Sequence, residues 1–177
     1  MPGGSLRLFV GVPVPEAAVA AATAASGELL VHPGVRPVPR GGHHVTLRFL
    51  GAVSEGDLPA LVAAITVAAS DVTASTARLR GLGGFPGGHR RARVLWAGVE
   101  DDGTLERLAE VLRSLPGDPP REAFTPHCTL ARFDPPLALP ELPEGPLGEA
   151  FPLDRMVLFR SRPGAAYEAL EIFPLGR

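Results

Sequence analysis

The chain has 177 residues, of which 45% are hydrophobic and 20% charged, and its net charge at pH 7 is −2. This length fits one domain, or two small lobes that share a core, and the composition is ordinary for a globular protein. The weak net charge excludes a polycation that draws nucleic acid through its overall field, so an anionic ligand must be held by a local patch.

Other features of the composition narrow the protein class. The single cysteine, Cys128, excludes an intramolecular disulfide framework and a cysteine-rich zinc site. Apart from histidine, every basic side chain is arginine, whose planar donor fork suits phosphate. The chain is also rich in Ala, Gly and Pro, which indicates a GC-rich coding sequence. Such a coding bias is the favoured explanation for the absence of lysine. The apolar run at the start is too short for a signal peptide or a membrane span, so we expect a cytoplasmic protein without membrane contact.

The predicted elements alternate between short apolar runs and amphipathic segments separated by Pro and Gly. Ser54 and Asp102 are the expected N-caps of the second and third helices. In chain order we predict a strand at 6–14, an Ala-rich helix at 16–30, a loop or edge strand at 33–39, a strand at 43–50, a helix at 55–70, a strand at 77–82, a glycine-rich turn at 83–89, a strand at 93–99, a helix at 102–115, a strand at 126–132, a proline-rich loop at 133–146, and strands at 156–161 and 167–173.

One four-residue phrase occurs twice in this pattern. His-x-Thr-Leu stands at residues 44–47 and again at residues 127–130. Each copy lies on a predicted strand, and each belongs to a different half of the chain. This arrangement indicates a duplication that produced two α+β lobes, each contributing one equivalent strand. No clean domain boundary separates the halves, so we expect one domain over residues 1–177.

Strand geometry predicts which side chains of the phrase share a face. Residues i and i+2 of a strand project from the same side, so His44, Thr46 and Arg48 are expected to face one way. In the second copy His127 and Thr129 are expected to do the same. The side chains expected to point into the core are Val45, Leu47, Phe49, Cys128 and Leu130.

Two such strands across a cleft would supply the groups for acid–base chemistry. Histidine has a pKa of about 6.5, so one imidazole can be protonated while its partner is neutral near pH 7. One can take a proton from water while the other gives a proton to a leaving oxygen, and threonine hydroxyls can donate to a phosphate. A single copy would more often be a surface or core histidine, but two copies in corresponding halves favour catalysis. Two histidines without acidic or cysteine partners are too few for a usual zinc site.

The motifs resemble those of a known family. The chain is similar to the 2H phosphoesterases, most closely to the bacterial RNA 2′,3′-cyclic phosphodiesterases, also called 2′-5′ RNA ligases. The resemblance covers nearly the whole chain. It rests on RLFVGV at 7–12, RPV at 36–38, HVTLRFLG at 44–51, GLGGFP at 81–86, RVLWAGV at 93–99, FTPHCTLAR at 124–132 and the closing LFRSRPG…Y…L at 158–170.

The resemblance implies a bilobal, pseudo-symmetric α+β fold of two intertwined lobes, with two antiparallel sheets flanking a central cleft and helices on the outside. It implies metal-independent opening of a 2′,3′-cyclic phosphate at the 3′ oxygen of an RNA end or nucleotide, leaving a 2′-phosphate. By position, His44 corresponds to the proton donor and His127 to the proton acceptor. Thr46 and Thr129 correspond to phosphate ligands. No cofactor or metal is implied, and we expect a monomer.

Four further residues follow from the same resemblance. Arg132 matches a phosphate contact, although strand alternation would point it away from His127 unless the strand twists or ends there. Phe9 matches an aromatic residue near the substrate base, and a core position is an equally good reading. His43 replaces a common apolar residue and is expected to be an exposed bystander. Cys128 replaces an aliphatic residue and is expected to be buried and inert.

The remaining candidates have weaker interpretations. Residues 81–93 read as a glycine-rich loop at the cleft rim, and they lack the pattern of a nucleotide-binding loop. Trp96 is expected in the core, and Tyr167 and Ser161 are expected to be structural. The arginines that could contact RNA at the rim are Arg48, Arg90, Arg91 and Arg93.

Three alternatives to the hydrolase remain open from the sequence. The first is a 2′-5′ RNA ligase, which runs the reverse reaction with the same histidines. The second is a phosphodiesterase for small cyclic or 2′-5′-linked nucleotides, which a narrow, arginine-poor cleft would favour. The third is a non-catalytic RNA-binding module, but such a protein would be expected to lose at least one of the paired histidines and threonines.

Overall fold

The structure is a computed structural model that describes residues 4–86, 90–117, 123–163 and 166–176. In these residues the chain forms nine β-strands and three α-helices. The strands are β1 Ser5–Pro13, β2 Val35–Pro37, β3 His44–Ser54, β4 Ser75–Phe85, β5 Ala92–Asp101, β6 His127–Leu137, β7 Pro146–Leu153, β8 Arg155–Arg160 and β9 Glu168–Pro174. The helices are α1 Glu16–Ser26, α2 Leu58–Ser70 and α3 Thr104–Val111.

The strands form two antiparallel halves that meet at the two His-x-Thr strands. The strand order is β7-β4-β5-β6-β3-β1-β8-β9, and β2 pairs with residues 131–133 of β6. A single residue pair, Val45 opposite Cys128, joins β3 to β6. The predicted bilobal α+β architecture is therefore confirmed, although that pair joins the two antiparallel halves into one nine-stranded sheet rather than two separate sheets.

Two helices pack on strands that lie far from them in the chain. Helix α1 follows β1 but packs on β7 and β4 of the other half, whereas α3 follows β5 and packs against β3. Helix α2 packs against β9, the outer strand of its own half. The apolar faces of the helices cover the sheet, as shown by the complete burial of Ala22, Ile65 and Leu108.

The three predicted helices are found, and each is shorter than predicted. Helix α1 ends at Ser26, where Gly27 adopts φ 52°, and Gly27–Val31 continues as a 3₁₀ helix. Helix α3 begins two residues after Asp102, whose carboxylate accepts hydrogen bonds from the backbone and hydroxyl of Thr104 at 3.2 and 2.6 Å. Ser54 accepts from the Gly56 backbone at 3.1 Å and so caps a 3₁₀ turn before α2.

Three strand predictions are corrected by the pairing. Strand β6 continues to Leu137 through the predicted proline-rich loop, because β2 and β5 supply partners on both of its sides. Strand β7, which begins at the last residue of the predicted loop, was missed. Strand β4 runs through Gly83 to Phe85, where a turn was predicted, because the Trp96 indole lies on that backbone. A Cβ atom at Gly83 would clash with the indole, so only glycine fits there.

Candidate active site

Both His-x-Thr strands carry a β-bulge at the same place in the phrase. Opposite β3, Gly11 pairs with Thr46 and Val10 pairs with Arg48, so Leu47 has no partner residue. Opposite β6, Trp96 pairs with Thr129 and Leu95 with Ala131, which leaves Leu130 as the extra residue. The first nine residues of the two strands share one burial pattern. An inserted residue shifts the alternation by one, so the side chains beyond it exchange faces.

The bulge in β6 brings Arg132 to the face that carries His127 and Thr129. Leu130 and Ala131 are both buried, and Arg132 is exposed beside the cleft. This resolves the conflict between strict alternation and the position implied for Arg132. The side chain reaches the cleft through an extra residue rather than through a twist or the end of the strand.

The bulge in β3 makes two predictions wrong. Arg48, expected beside Thr46, borders the cavity but is only 8% exposed, and its guanidinium turns away to donate hydrogen bonds to the carbonyls of Leu115 at 3.0 Å and Gly117 at 3.2 Å. Phe49, expected in the core, is 65% exposed and lies in the cleft. Phe49 and Arg132 occupy equivalent positions, each three residues after the threonine of its strand.

One cavity of about 1750 Å³ collects the predicted site residues. Its lining includes both histidines and both threonines of the repeated phrase, together with Arg132 and Phe9. The structure thus brings together residues that are 83 positions apart in the chain, at the junction of the two halves.

The two histidines are held in the same way. The Nδ1 atom of His44 lies 2.8 Å from the Gly42 carbonyl oxygen, and that of His127 lies 2.7 Å from the Thr125 carbonyl oxygen. A carbonyl can only accept, so in each ring Nδ1 carries the proton and donates it. In the neutral rings Nε2 is therefore free to accept a proton, and the Thr46 hydroxyl lies 3.1 Å from Nε2 of His44.

The environment of His44 opposes its protonated form. Burial lowers the pKa of His44 below its ordinary value of 6.5, and the positive charges of His43, His127 and Arg132 lower it further. The hydrogen bond to Gly42 acts in the opposite direction but is the smaller effect. A phosphate anion in the cleft would act against this net shift, because a negative charge beside an imidazole favours the imidazolium.

Aromatic rings surround His44. Phe9 packs against it at 4.9 Å between ring centroids and stacks on Phe159 at 5.0 Å. Phe9 is only 3% exposed, so it forms the floor of the cleft rather than an open stacking surface. Tyr167, expected to be structural, stands edge-on to His44 at 5.1 Å and is 37% exposed in the cleft. No local pattern signals this role of Tyr167, because the distance of 123 residues from His44 hides the contact.

A second aromatic wall lies beside His127. Phe85 stands edge-on to the His127 ring at 5.1 Å, and Trp96 lies 5.1 Å from Phe85. Trp96 was predicted in the core, but it is half-buried and packs behind Phe85. It is the residue of β5 that pairs with Thr129 of β6. Each histidine therefore has its own aromatic neighbours.

His43 is a buried residue and not the exposed bystander that was predicted. Its side chain lies 3.3 Å from a carboxylate oxygen of Glu16, and the same oxygen accepts from the Gly41 backbone at 2.7 Å. That backbone hydrogen bond is the main reason why the pKa of Glu16 is lowered. Glu16 thus holds both ends of the short loop whose Gly42 carbonyl orients His44.

Cys128 has the inert character that was predicted. It is fully buried, and burial raises the pKa of its thiol to about 12. A protonated thiol is a poor nucleophile, so Cys128 packs as a small apolar residue between the two halves.

Of the four rim arginines, only Arg48 borders the cavity. Arg90, Arg91 and Arg93 are exposed, and none of the three is among the described residues that line the cleft. Arg93 lies 3.9 Å from Asp134. The predicted loop passes through residues 87–89, which lie outside the described residues.

The described residues offer neither a cluster of metal ligands nor a membrane-spanning helix. No three His, Cys, Asp or Glu side chains in these parts of the chain come close enough to hold a metal ion. In the same residues, no helix has the length and apolarity needed to cross a bilayer.

Comparison with known proteins gives consistent matches. A model of the 2′-5′ RNA ligase superfamily matches residues 13–164. The chain is 37% identical over 186 residues to an RNA 2′,3′-cyclic phosphodiesterase of Thermus thermophilus, covering 96% of this chain and 90% of that protein. It is 32% identical over 182 residues to a Geobacillus stearothermophilus protein of the same name, covering 94% of this chain and 56% of that protein.

Solved structures share the fold along the whole chain. A crystal structure of a Thermus thermophilus protein matches with a TM-score of 0.82 and 36% identity, covering 96% of this chain and 98% of that one. The crystal structure of Escherichia coli LigT complexed with phosphate matches with a TM-score of 0.73 and 26% identity, covering 99% of this chain and 100% of that one.

Proposed function

The chain belongs to the 2′-5′ RNA ligase superfamily of 2H phosphoesterases, and on this basis we propose that it hydrolyses 2′,3′-cyclic phosphates at RNA ends. The product is a 2′-phosphate, and the reaction needs no metal ion. The observation that carries the proposal is the matched pair of histidines, each donating Nδ1 to a backbone carbonyl and each standing beside a threonine in one cleft.

The proposed reaction divides the proton transfers between the two rings. Nε2 of His127 takes a proton from water, and the water oxygen forms a bond to phosphorus in line with the 3′ oxygen. The bond between phosphorus and the 3′ oxygen breaks, and Nε2 of His44 gives its proton to that oxygen. Because one ring loses the proton that the other gains, the pair must be reset by proton exchange before the next turnover.

The remaining polar groups hold the phosphate between the rings. The hydroxyls of Thr46 and Thr129 donate to its non-bridging oxygens, and the guanidinium of Arg132 adds a charge-assisted contact. In the free protein the Thr46 hydroxyl contacts Nε2 of His44 at 3.1 Å. Binding of the phosphate would turn that hydroxyl to the anion as His44 becomes protonated.

The size of the cleft favours RNA ends over small nucleotides as substrates. Its volume of about 1750 Å³ exceeds the range of roughly 300–1,000 Å³ that is usual for small-molecule sites. Arg132 and several other arginines line it, so it is neither narrow nor poor in arginine, the features that would have favoured a small cyclic nucleotide.

Ligation is a second candidate, favoured by the wall beside His127. In the reverse reaction a 5′-hydroxyl would take the place of the attacking water, next to His127. The exposed edge of Phe85 lies at that position and could contact the nucleoside that carries the hydroxyl.

The direct test is hydrolysis of an RNA oligonucleotide that ends in a 2′,3′-cyclic phosphate, in buffer with EDTA. We expect full turnover and a 2′-phosphate, which ³¹P NMR distinguishes from a 3′-phosphate. A 3′-phosphate product would overturn the assignment of the leaving oxygen. Loss of activity in EDTA that Mg²⁺ or Zn²⁺ restores would overturn the metal-free mechanism, and an inert protein would overturn the function.

The pH dependence should reveal the lowered pKa of His44. As the proton donor, His44 must be protonated, so kcat/KM should fall as the pH rises through its pKa in the free protein, below 6.5. A bound phosphate raises that pKa, so the alkaline limb of kcat should lie at higher pH than that of kcat/KM. Rate profiles from pH 4 to 9 measure both limbs. Coincident limbs would show that substrate binding does not change the pKa of the donor.

A further inference from the structure

The aromatic side chains that the fold leaves exposed are concentrated in the cleft. Among the described residues, the large apolar side chains with high exposure include three aromatic ones, Phe49 at 65%, Tyr167 at 37% and Phe85 at 36%. All three line the one cavity. Exposed aromatic rings in a cleft are surfaces on which nucleic-acid bases stack. Tyr167 and Phe85 stand against the two histidines, whereas Phe49 has no such neighbour to explain its exposure.

Phe49 lies one ring farther from the phosphate site than the aromatic neighbours of His44. The Phe9 ring separates it from His44, with centroid distances of 4.9 Å from Phe9 to His44 and 6.0 Å from Phe9 to Phe49. Tyr167 contacts His44, so in the proposed reaction the nucleoside that carries the cyclic phosphate would lie beside it. Phe49 is therefore placed for the next nucleotide along the strand.

The cavity continues beyond Phe49. On the strand side its lining passes through Gly51 and Arg7, and on the other side it follows helix α3. Arg107 of that helix and Arg113 just beyond it line the cavity, although both also lie close to acidic side chains, at 3.6 Å from Asp102 and 2.9 Å from Glu110. A terminal nucleotide alone would leave this part of the cavity empty, whereas a continuing RNA chain would fill it.

We propose that Phe49 stacks against the base of the penultimate nucleotide, so that the site selects RNA ends of at least two nucleotides over mononucleotides. This inference rests on the proposed function and specifies its substrate. The β3 bulge is the structural cause, because it turns Phe49 into the cleft where strict alternation would have buried it.

The test compares two dinucleotides that end in a 2′,3′-cyclic phosphate, one intact and one with an abasic penultimate nucleotide. Both keep the internucleotide phosphate, so the comparison isolates the base. We expect wild type to prefer the intact substrate in kcat/KM by about 5- to 100-fold, the range of base–aromatic stacking. Phe49→Leu, which keeps an apolar side chain but loses the ring, should bring this ratio close to one, and Phe49→Tyr should restore it.

Val67→Ala is the matched control, because Val67 is 63% exposed on α2 and lies outside the cleft. It should keep the wild-type ratio. A wild-type ratio near one, or an unchanged ratio in Phe49→Leu, would overturn the inference while hydrolysis itself stands. If wild type hydrolyses neither substrate, the proposed function fails. Binding of the corresponding 2′-phosphate dinucleotides, intact and abasic, to wild type and Phe49→Leu then decides the inference without turnover.

Discussion

His44→Ala and His127→Ala should each lower the rate of cyclic-phosphate hydrolysis by about 10²–10⁴-fold, the usual contribution of general acid–base catalysis. Each variant removes the only proposed carrier of one proton transfer, while the threonines and Arg132 remain to bind the phosphate. The loss should therefore appear mainly in kcat. Because the two rings act in one concerted step, the double variant should be about as slow as either single variant.

Folding should survive both substitutions. The two rings are half-buried at the cleft, and each makes its backbone hydrogen bond only two residues upstream. His32→Ala is the matched control, because His32 also contacts a backbone carbonyl, that of Pro33 at 2.7 Å, but lies outside the cavity. It should keep the wild-type rate. Near-wild-type turnover by either cleft variant would show that the corresponding histidine carries no proton in the reaction.

The repeated phrase predicted much of the site because its information is local. His-x-Thr-Leu on a strand fixes a histidine and a threonine on one face, and two copies in two halves predicted one shared cleft. The architecture confirms that reasoning up to Thr46 and Thr129. The predicted facing of the side chains fails beyond these threonines, because the alternation rule assumes that no extra residue is inserted into the strand. The bulges exchange the faces of Arg48 and Phe49 and bring Arg132 into the cleft.

Other parts of the site depend on contacts between distant segments. Tyr167 reaches His44 because β8 and β9 pair beside β1, and no local pattern around Tyr167 signals that pairing. His43 was read as exposed because its partner, Glu16, lies on a helix 27 residues earlier. A single sequence shows the residue types in such contacts but not which segments meet.

Arg48→Ala and Arg132→Ala should have opposite consequences, although the two arginines lie on equivalent strands. Arg48→Ala should lower the free energy of unfolding by about 2–4 kcal/mol, because it leaves the buried carbonyl of Leu115 and the part-buried carbonyl of Gly117 without this donor and opens space in the core. Arg132 is exposed, so its removal should cost less than about 1 kcal/mol of stability. It should instead lower kcat/KM by about 10- to 100-fold, through the loss of a charged phosphate contact.

Urea denaturation and steady-state kinetics on the same two proteins separate these effects. The kinetics are measured well below the unfolding transition, where folded Arg48→Ala should keep kcat/KM within a small factor of wild type. Arg48→Lys keeps the charge but cannot donate through a planar fork to two carbonyls, so its stability should lie between those of wild type and Arg48→Ala. Strict alternation along β3 and β6 would place the Arg48 guanidinium beside His44 and Thr46, and Arg132 away from His127. That arrangement predicts lost catalysis in Arg48→Ala and none in Arg132→Ala, so the pair decides whether the bulges control the chemistry of the cleft.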